Sequence, residues 1–526
     1  ENTTGDYNTA LGTRALQNAT TADANTAVGR SALVSNTTGS GNVASGYLSM
    51  ENNTTGSNNV ALGRQSLDQN TTASNNTAVG YQSLYANTAN NNTALGHSAL
   101  FSNTTGSLNS GISQGALYSN TTGIYNTAAG ANAMYLNTTG SSNVGLGQDA
   151  LRSNTTASNN TAVGYRAGYS NTTGTSNTAL GQGSLYSNSV GTDNTSIGQA
   201  TLYNNTASDN TALGVSALNG NTTGTHNIGV GRRPLLSNTS GSYNVAMGTD
   251  ALRSNTTASN NTAVGYNAGY SKTTGNNNTF VGMSAGYSAT TSAANTFVGR
   301  NDNGFGAGYY VTTGAKNTIL GGYDGNQGGL DIRTSSNNIV LSDGDGNPRY
   351  HVRSDGKTMI GPENTAPANF NVHTTASTWT ANFYNLNNAD VTNLGLRHDY
   401  ARSGQNATQI YFMQTNGTTC GSIKSNNSST SYNTSSDYRL KENVVYDWDA
   451  TTRIKQLKPA RFTWIDDGDG GPVVDGFIAH EAQTVVPEAV QGVKDAVDAE
   501  GNPKLQEIDQ SKLVPLLVKT IQELEA

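Results

Sequence analysis

The stretch Asn25-Thr-Ala-Val-Gly29 returns as Asn76-Thr-Ala-Val-Gly80 and Asn160-Thr-Ala-Val-Gly164, and in variant form wherever its Asn stands at 8, 25, 42, 59, 76, 92, 109, 126, 143, 160, 177, 194, 210, 227, 244, 261, 278 and 295. Fifteen of the seventeen intervals are 17 residues and two are 16. So strict a period makes each unit one turn of a solenoid or stalk. The third residue after the Asn is almost always aliphatic (Leu11, Val28, Leu62, Val79, Leu95, Ile112, Leu146, Val163, Leu180), and the eighth is usually Leu or Met (Leu16, Leu33, Met50, Leu67). Two apolar points per turn without a helical period predict two short strands per coil, with these residues pointing inward and stacking on the next coil. The fourth residue is Gly in 17 of 18 units, Ser113 being the exception. That regularity predicts a corner where φ is positive or another backbone comes close. A second Asn falls eleven residues after the first in most units (Asn36, Asn53, Asn70, Asn87, Asn103, Asn120). Asn suits turns, and identical stacked Asn residues form amide ladders.

The composition follows from this thin coil. Of 526 residues 61 are Gly, and only 34% are apolar and 12% charged, below the apolar content of ordinary soluble domains. No stretch is apolar enough for a membrane-spanning helix, and the scarcity of charge and Pro argues against disorder. The single cysteine, Cys420, excludes an intramolecular disulfide framework and a Cys-based zinc site. Residues 1–300 hold 9 acidic and 10 basic residues, and 301–526 hold 26 and 18. No basic patch points to nucleic acid. Asp343, Asp345 and Asn347 imitate the start of a calcium loop, but its twelfth position is Ser354 where such a loop needs Glu. This segment and Asp466-Asp-Gly-Asp-Gly-Gly471 read as turns, so neither a metal nor a cofactor is expected.

Eighteen coils at ~4.8 Å each give a rod of roughly 85 Å. Each coil's two medium apolar side chains contribute roughly 3–6 kcal/mol against the ordering of a whole coil. That balance is poor for a lone chain, so several chains sharing one axis are expected. The ninth-position aromatics (Tyr85, Phe101, Tyr118, Tyr135, Tyr186, Tyr203) serve either that packing or a receptor surface. Glu1 falls at position ten of a unit, so the chain starts in mid-coil and a native N-terminus further upstream is expected.

Residues 1–300 resemble the head repeats of YadA-like trimeric adhesins and the stalks of phage tail fibres, which are trimeric parallel β-rolls. Residues 301–364 read as degenerate repeats, spaced 22 and 21 residues to Asn317 and Asn338, leading into a β-hairpin. Residues 365–435 read as a small β tip domain, whose Trp379, Tyr384 and Tyr411 are either core or sugar-stacking residues.

The segment Ser436-Asp-Tyr-Arg-Leu-Lys-Glu-Asn-Val444 resembles the start of the intramolecular chaperone auto-processing domain at the C-terminus of endosialidase-type tail spikes. Leu457-Lys-Pro-Ala-Arg-Phe-Thr-Trp464, Gly476-Phe-Ile-Ala-His-Glu-Ala-Gln483 with Val486-Pro-Glu-Ala-Val490, and Leu513-Val-Pro-Leu-Leu517 continue it. The resemblance implies that 436–526 is an α+β chaperone domain that trimerises, drives folding of the fibre ahead of it and cuts itself off beside Ser436. Ser436 would be the nucleophile and Lys441 the base, with His480 structural or auxiliary. A serine hydroxyl needs a base, and a lysine serves as one only when desolvation lowers its pKa. Because the scissile bond lies in the same chain, one turnover suffices and no external substrate is needed. The alternative is Ser436 as a helix N-cap and Lys441 as a surface charge. Val514, Leu517, Ile521 and Leu524 stand at a/d spacing, as in a coiled coil.

The chain therefore reads as mainly β: a homotrimeric β-solenoid fibre of tail-fibre type with a C-terminal chaperone. It is expected on a virion or cell surface, with a host-surface glycan or protein as partner. A bacterial trimeric surface adhesin or extracellular filament is the alternative.

Overall fold

A computed structural model describes residues 3–356, 358–360, 407–413, 419–425, 430–434, 436, 438–465, 471–497 and 503–526. The chain divides into two compact units, Glu1–His373 and Thr374–Ala526.

In the first unit each repeat closes one coil around a single strand of three residues, from Thr9–Leu11 and Thr26–Val28 to Thr296–Val298. Successive strands pair in parallel without slip, Thr9 facing Thr26 and Leu11 facing Val28. The stack continues through Thr318–Leu320 and Ile339–Ser342, and at ~4.8 Å per strand its twenty parallel strands extend roughly 90 Å. Pro348–Val352 and Thr358–Ile360 then add two antiparallel strands. The Asp343 carboxylate closes the connecting turn, accepting from the Asn347 backbone N–H at 2.8 Å and from Arg349 Nε at 2.8 Å.

Two expectations are corrected. There is one strand per coil, and the third-position aliphatic residue points outward. Leu11, Leu62, Leu95, Ile112, Leu180 and Leu213 are exposed, whereas the second-position Ala27, Ala44, Ala61 and Ala78 are fully buried. Residues one and three of a strand share a face and residue two takes the other. The inner face has little room, because the eighth-position Leu already fills the lumen under the next coil's strand. At Gly111 an added Cβ would stand 3.3 Å from Leu100 Cγ, and at Gly145 3.2 Å from Met134 Cγ. Where the eighth position is Gly269 or Gly286, the neighbouring second position enlarges to Phe280. A Cβ on either glycine would meet that ring at 2.8 or 2.6 Å. Volume is conserved across the pair, as close packing requires.

The corners carry the remaining repeats. At Gly147 φ is +127° and a Cβ would lie 2.6 Å from Gly164 O, so close backbone approach excludes any side chain. The first Asn of each coil bonds upward and sideways: the Asn42 N–H donates to Asn25 Oδ1 at 2.9 Å, and Asn42 Nδ2 to Gly56 O at 2.8 Å. The second forms the amide ladder, with Asn53 Nδ2 donating to Asn36 Oδ1 at 2.8 Å and to Gly56 O at 3.0 Å. The ninth-position aromatics stack coil on coil. Tyr85, Phe101, Tyr118 and Tyr135 follow one another at ring separations of 5.1, 5.1 and 4.9 Å.

In the second unit Ala407–Met413, Thr419–Ser425 and Thr430–Thr434 form an antiparallel sheet. Trp379, Tyr384 and the Asp466 turn lie outside the described residues, and of Tyr411 only the backbone is described. Helices α1 (Ala450–Ile454), α2 (Ala479–Gln483) and α3 (Val514–Glu525) and the hairpin Pro459–Phe462/Val474–Phe477 follow in the same unit, with α1 packed on α3. Ala450, Ala482, Val486, Ala489, Leu513 and Leu516 make their common core. Among the described residues no helix is long and apolar enough to cross a membrane.

Candidate active site and assembly face

Ser436 precedes a single 3₁₀ turn, Tyr438–Leu440. The Lys441 N–H donates to Tyr438 O at 3.1 Å, and this tight turn folds the chain back on itself. Lys441 Nζ consequently lies 2.7 Å from Ser436 Oγ, its N–H donating to the hydroxyl. Both residues are exposed. The five-residue spacing brings nucleophile and base together, but it does not dehydrate them, and a dry environment is what a lysine base requires.

The dyad stands at one edge of an open cleft of ≈920 Å³, whose other walls include Trp448, Arg453, Glu488, Lys512 and Pro515. Arg453 fixes the far wall: its Nε donates to Val485 O at 2.8 Å and its guanidinium pairs with Glu488 at 2.9 Å. Glu523, near the end of α3, accepts from the N–H groups of Ala450 and Thr451 at 3.0 and 2.7 Å. It thereby satisfies donors that the start of α1 leaves open, and those hydrogen bonds, Ala450's first, hold its carboxyl below the usual carboxylate range. Spacing along the chain offers no hint of either partnership. His480 sits half-buried on α2 and does not line the cleft.

The rim of this module is apolar. Val444, Val445, Tyr446 and Trp464 are exposed, and so are all four seam residues of α3, at 53% for Val514, 48% for Leu517, 54% for Ile521 and 72% for Leu524. The opposite face of α3 is occupied, Leu516 and Thr520 being buried within the module. Helix α3 is thus two-sided, with one apolar side buried and the other exposed.

Residues 436–491 match the family described as chaperone of endosialidase. No curated protein and no solved structure matches the chain. A β-solenoid of about twenty turns with this segment at its C-terminal end fits a tail fibre with β-roll repeats and a C-terminal chaperone domain.

Proposed function

We propose that the chain is one strand of a homotrimeric attachment fibre of the tail-fibre type, whose C-terminal module sets the register of three chains and then cuts itself free. The observation that carries this reading is the outward apolar stripe on the strand face. Leu62, Leu95, Ile112, Leu180, Leu213, Met247, Leu320 and Leu341 are each more than a third exposed along one line of the stack, where parallel pairing holds them in register. A continuous apolar stripe of this length exceeds what a lone soluble chain leaves open, and copies of the same chain are complementary to it at every coil.

The repeat itself makes a registering module necessary. Near-identical coils offer many slipped pairings of similar energy, so a distinct trimer at one end selects one of them before the rod zips. In the cleavage step Ser436 Oγ adds to the neighbouring carbonyl carbon, and Lys441 Nζ takes the hydroxyl proton and returns it to the departing amide nitrogen. Water then releases the ester. The exposure of the dyad in the single chain fits a reaction that waits for partner chains to cover the cleft.

Expressing the chain with and without Ser436→Ala tests this. A C-terminal fragment spanning about 90 residues on a denaturing gel, present only with Ser436, is expected. An uncut parent chain refutes self-cleavage, and a monomeric folded rod by native mass measurement refutes the trimer.

A further inference from the structure

In each coil the fifth, sixth and ninth residues after the first Asn lie on the turn beyond the glycine corner, on a different stretch of coil from the strand face, and several of the sixth residues, such as Ser31, Ser98 and Asp149, are buried there. The sixth residue packs against the ninth-position ring of the next coil. A Cβ on Gly115 would stand 3.2 Å from Tyr135 Cδ2, and one on Gly183 3.3 Å from Tyr203 Cε2. A side chain in that slot therefore divides the fifth row from the ninth. In two successive coils the divider is reduced to Gly183 and Ala200, and the rows part. The result is a half-open groove of ≈160 Å³, lined by Gln182 and Gln199 on one side and Tyr186 and Tyr203 on the other, with Tyr165 and Arg166 at one end.

The chemistry of the groove is specific. Tyr186 is stacked between Tyr169 and Tyr203 at 5.0 and 4.8 Å, so its faces are occupied and it offers its electropositive edge and hydroxyl, as Tyr203 does beside it. Two exposed primary amides repeat one coil apart on the facing wall. Arg166 is the one cation of the lining. Its ring neighbours, Tyr165 and Tyr169, hold it at 4.9 and 5.4 Å from their centroids. Its buried Nε has no hydrogen-bond partner and stands 3.6 Å from Asp149 Oδ2. Ring edges, amide N–H groups and a guanidinium all favour a ligand dense in acceptor oxygens with one negative charge, and the space suits a single ring.

We infer that the Gly183–Ala200 groove is a binding site for a carboxylate-bearing saccharide unit, with the carboxylate on Arg166 and the ring hydroxyls on Gln182, Gln199 and the two tyrosine hydroxyls. This rests on the reading of the chain as an attachment fibre and gives that reading a ligand class. A sugar of this kind is presented in long polymers, and a site on the flank of a rod engages a chain laid alongside it.

The backbone supplies clean variants. The sixth position is left-handed from Arg14 to Ser284, and Gln65 and Gln82 occupy it at φ 55° and 54°, close to the 61° of Gly183. Gly183→Gln therefore restores the divider without straining the coil. In the near-identical segment 250–271 the counterpart of Arg166 is Asn267, at the same φ of about 55°, so Arg166→Asn is equally benign. Saturation-transfer NMR on the full chain with D-glucuronate, and with D-glucose as the neutral control, reads the site. Glucuronate is expected to show saturation and glucose little. Gly183→Gln should abolish the signal, and Arg166→Asn should weaken glucuronate about tenfold, as loss of one charge-assisted contact does, levelling the two sugars. Absence of saturation in the parent chain, or equal saturation in Gly183→Gln, overturns the inference. Trimer mass and the Ser436-dependent fragment are read separately, so failure of the groove is distinguishable from failure of the fibre.

Discussion

The amide ladder of the second Asn is interrupted at the two 16-residue coils, where Asn87 and Asn205 donate to Ala89 O and Ala207 O and leave Asn70 and Asn188 Oδ1 without a donor; its last rung is Asn255, which donates to Asn238 Oδ1 at 2.6 Å. The next place in the ladder is Lys272. Its side chain is fully buried, its Nζ is bonded to Ser292 O, and Asn255 Oδ1 is left without a donor. Burial pushes the Lys272 pKa down to about 7, from about 10.4 in the unfolded chain. Below pH 7 the folded chain must hold a buried charge, and above about pH 10.4 neither state carries a proton. Between those limits the unfolded state binds more protons, so stability rises with pH across this window and is lost as pH falls. A shift of this size corresponds to about 4 kcal/mol at pH 7, to which the missing ladder bond adds about 1 kcal/mol. Lys272→Asn is therefore expected to stabilise the rod by about 4–5 kcal/mol at pH 6–7, falling to about 1 kcal/mol by pH 10. Lys272→Met removes the charge without rebuilding the ladder and should share the pH dependence but not the residual gain. Urea unfolding followed by circular dichroism at pH 6 to 10 measures this. Taking the difference between variant and parent cancels the tyrosine titrations common to both. A difference that stays constant across this range, or a variant less stable than the parent at pH 7, would refute the assignment of a neutral buried lysine.

Asp68 is the acidic counterpart: burial, and then the charge of Glu51, raise its carboxyl to about 6. The folded state thus binds the extra proton between about pH 4 and 6, and stability falls as pH rises through that range. Asp68→Asn should stabilise by up to about 3 kcal/mol at pH 7 and by nothing below pH 4, as thermal melts at the two pH values will read. Gly147→Ala places a Cβ 2.6 Å from Gly164 O at a φ of +127°, and is expected to cost at least about 3 kcal/mol in the same melts. Gly344→Ala, with nothing within 4 Å of the added atom, should leave the melting temperature unchanged.

Legibility divides along physical lines. The glycine corner and the two Asn positions could be read from the chain because each does one job repeated in every coil, and the residue type states the job. The inward face could not. A three-residue strand is too short to show alternation, so the aliphatic third residue of Leu95 or Ile112 drew the eye from the small second residue that is actually inside. The exchange of Phe280 for the Leu of its neighbours, matched by Gly269 and Gly286, is visible only once the coils are stacked. In the C-terminal module the pairing of Ser436 with Lys441 was readable, since five residues and one tight turn suffice to bring them to 2.7 Å. The opposite wall of the cleft was not. Arg453 on α1 and Glu488 meet across 35 residues of chain.

The amino-acid sequence alone determined one coil per repeat and the identity of each coil's neighbours. In a stack with translational symmetry every residue faces its own counterpart one period away, so the period is itself the contact map. The tertiary structure decided which apolar residues are core and which are left for other chains. That choice depends on volume: in most coils a Leu, Met or Phe at the eighth or second position fills the lumen, and the aliphatic third residue then has only the outside to occupy.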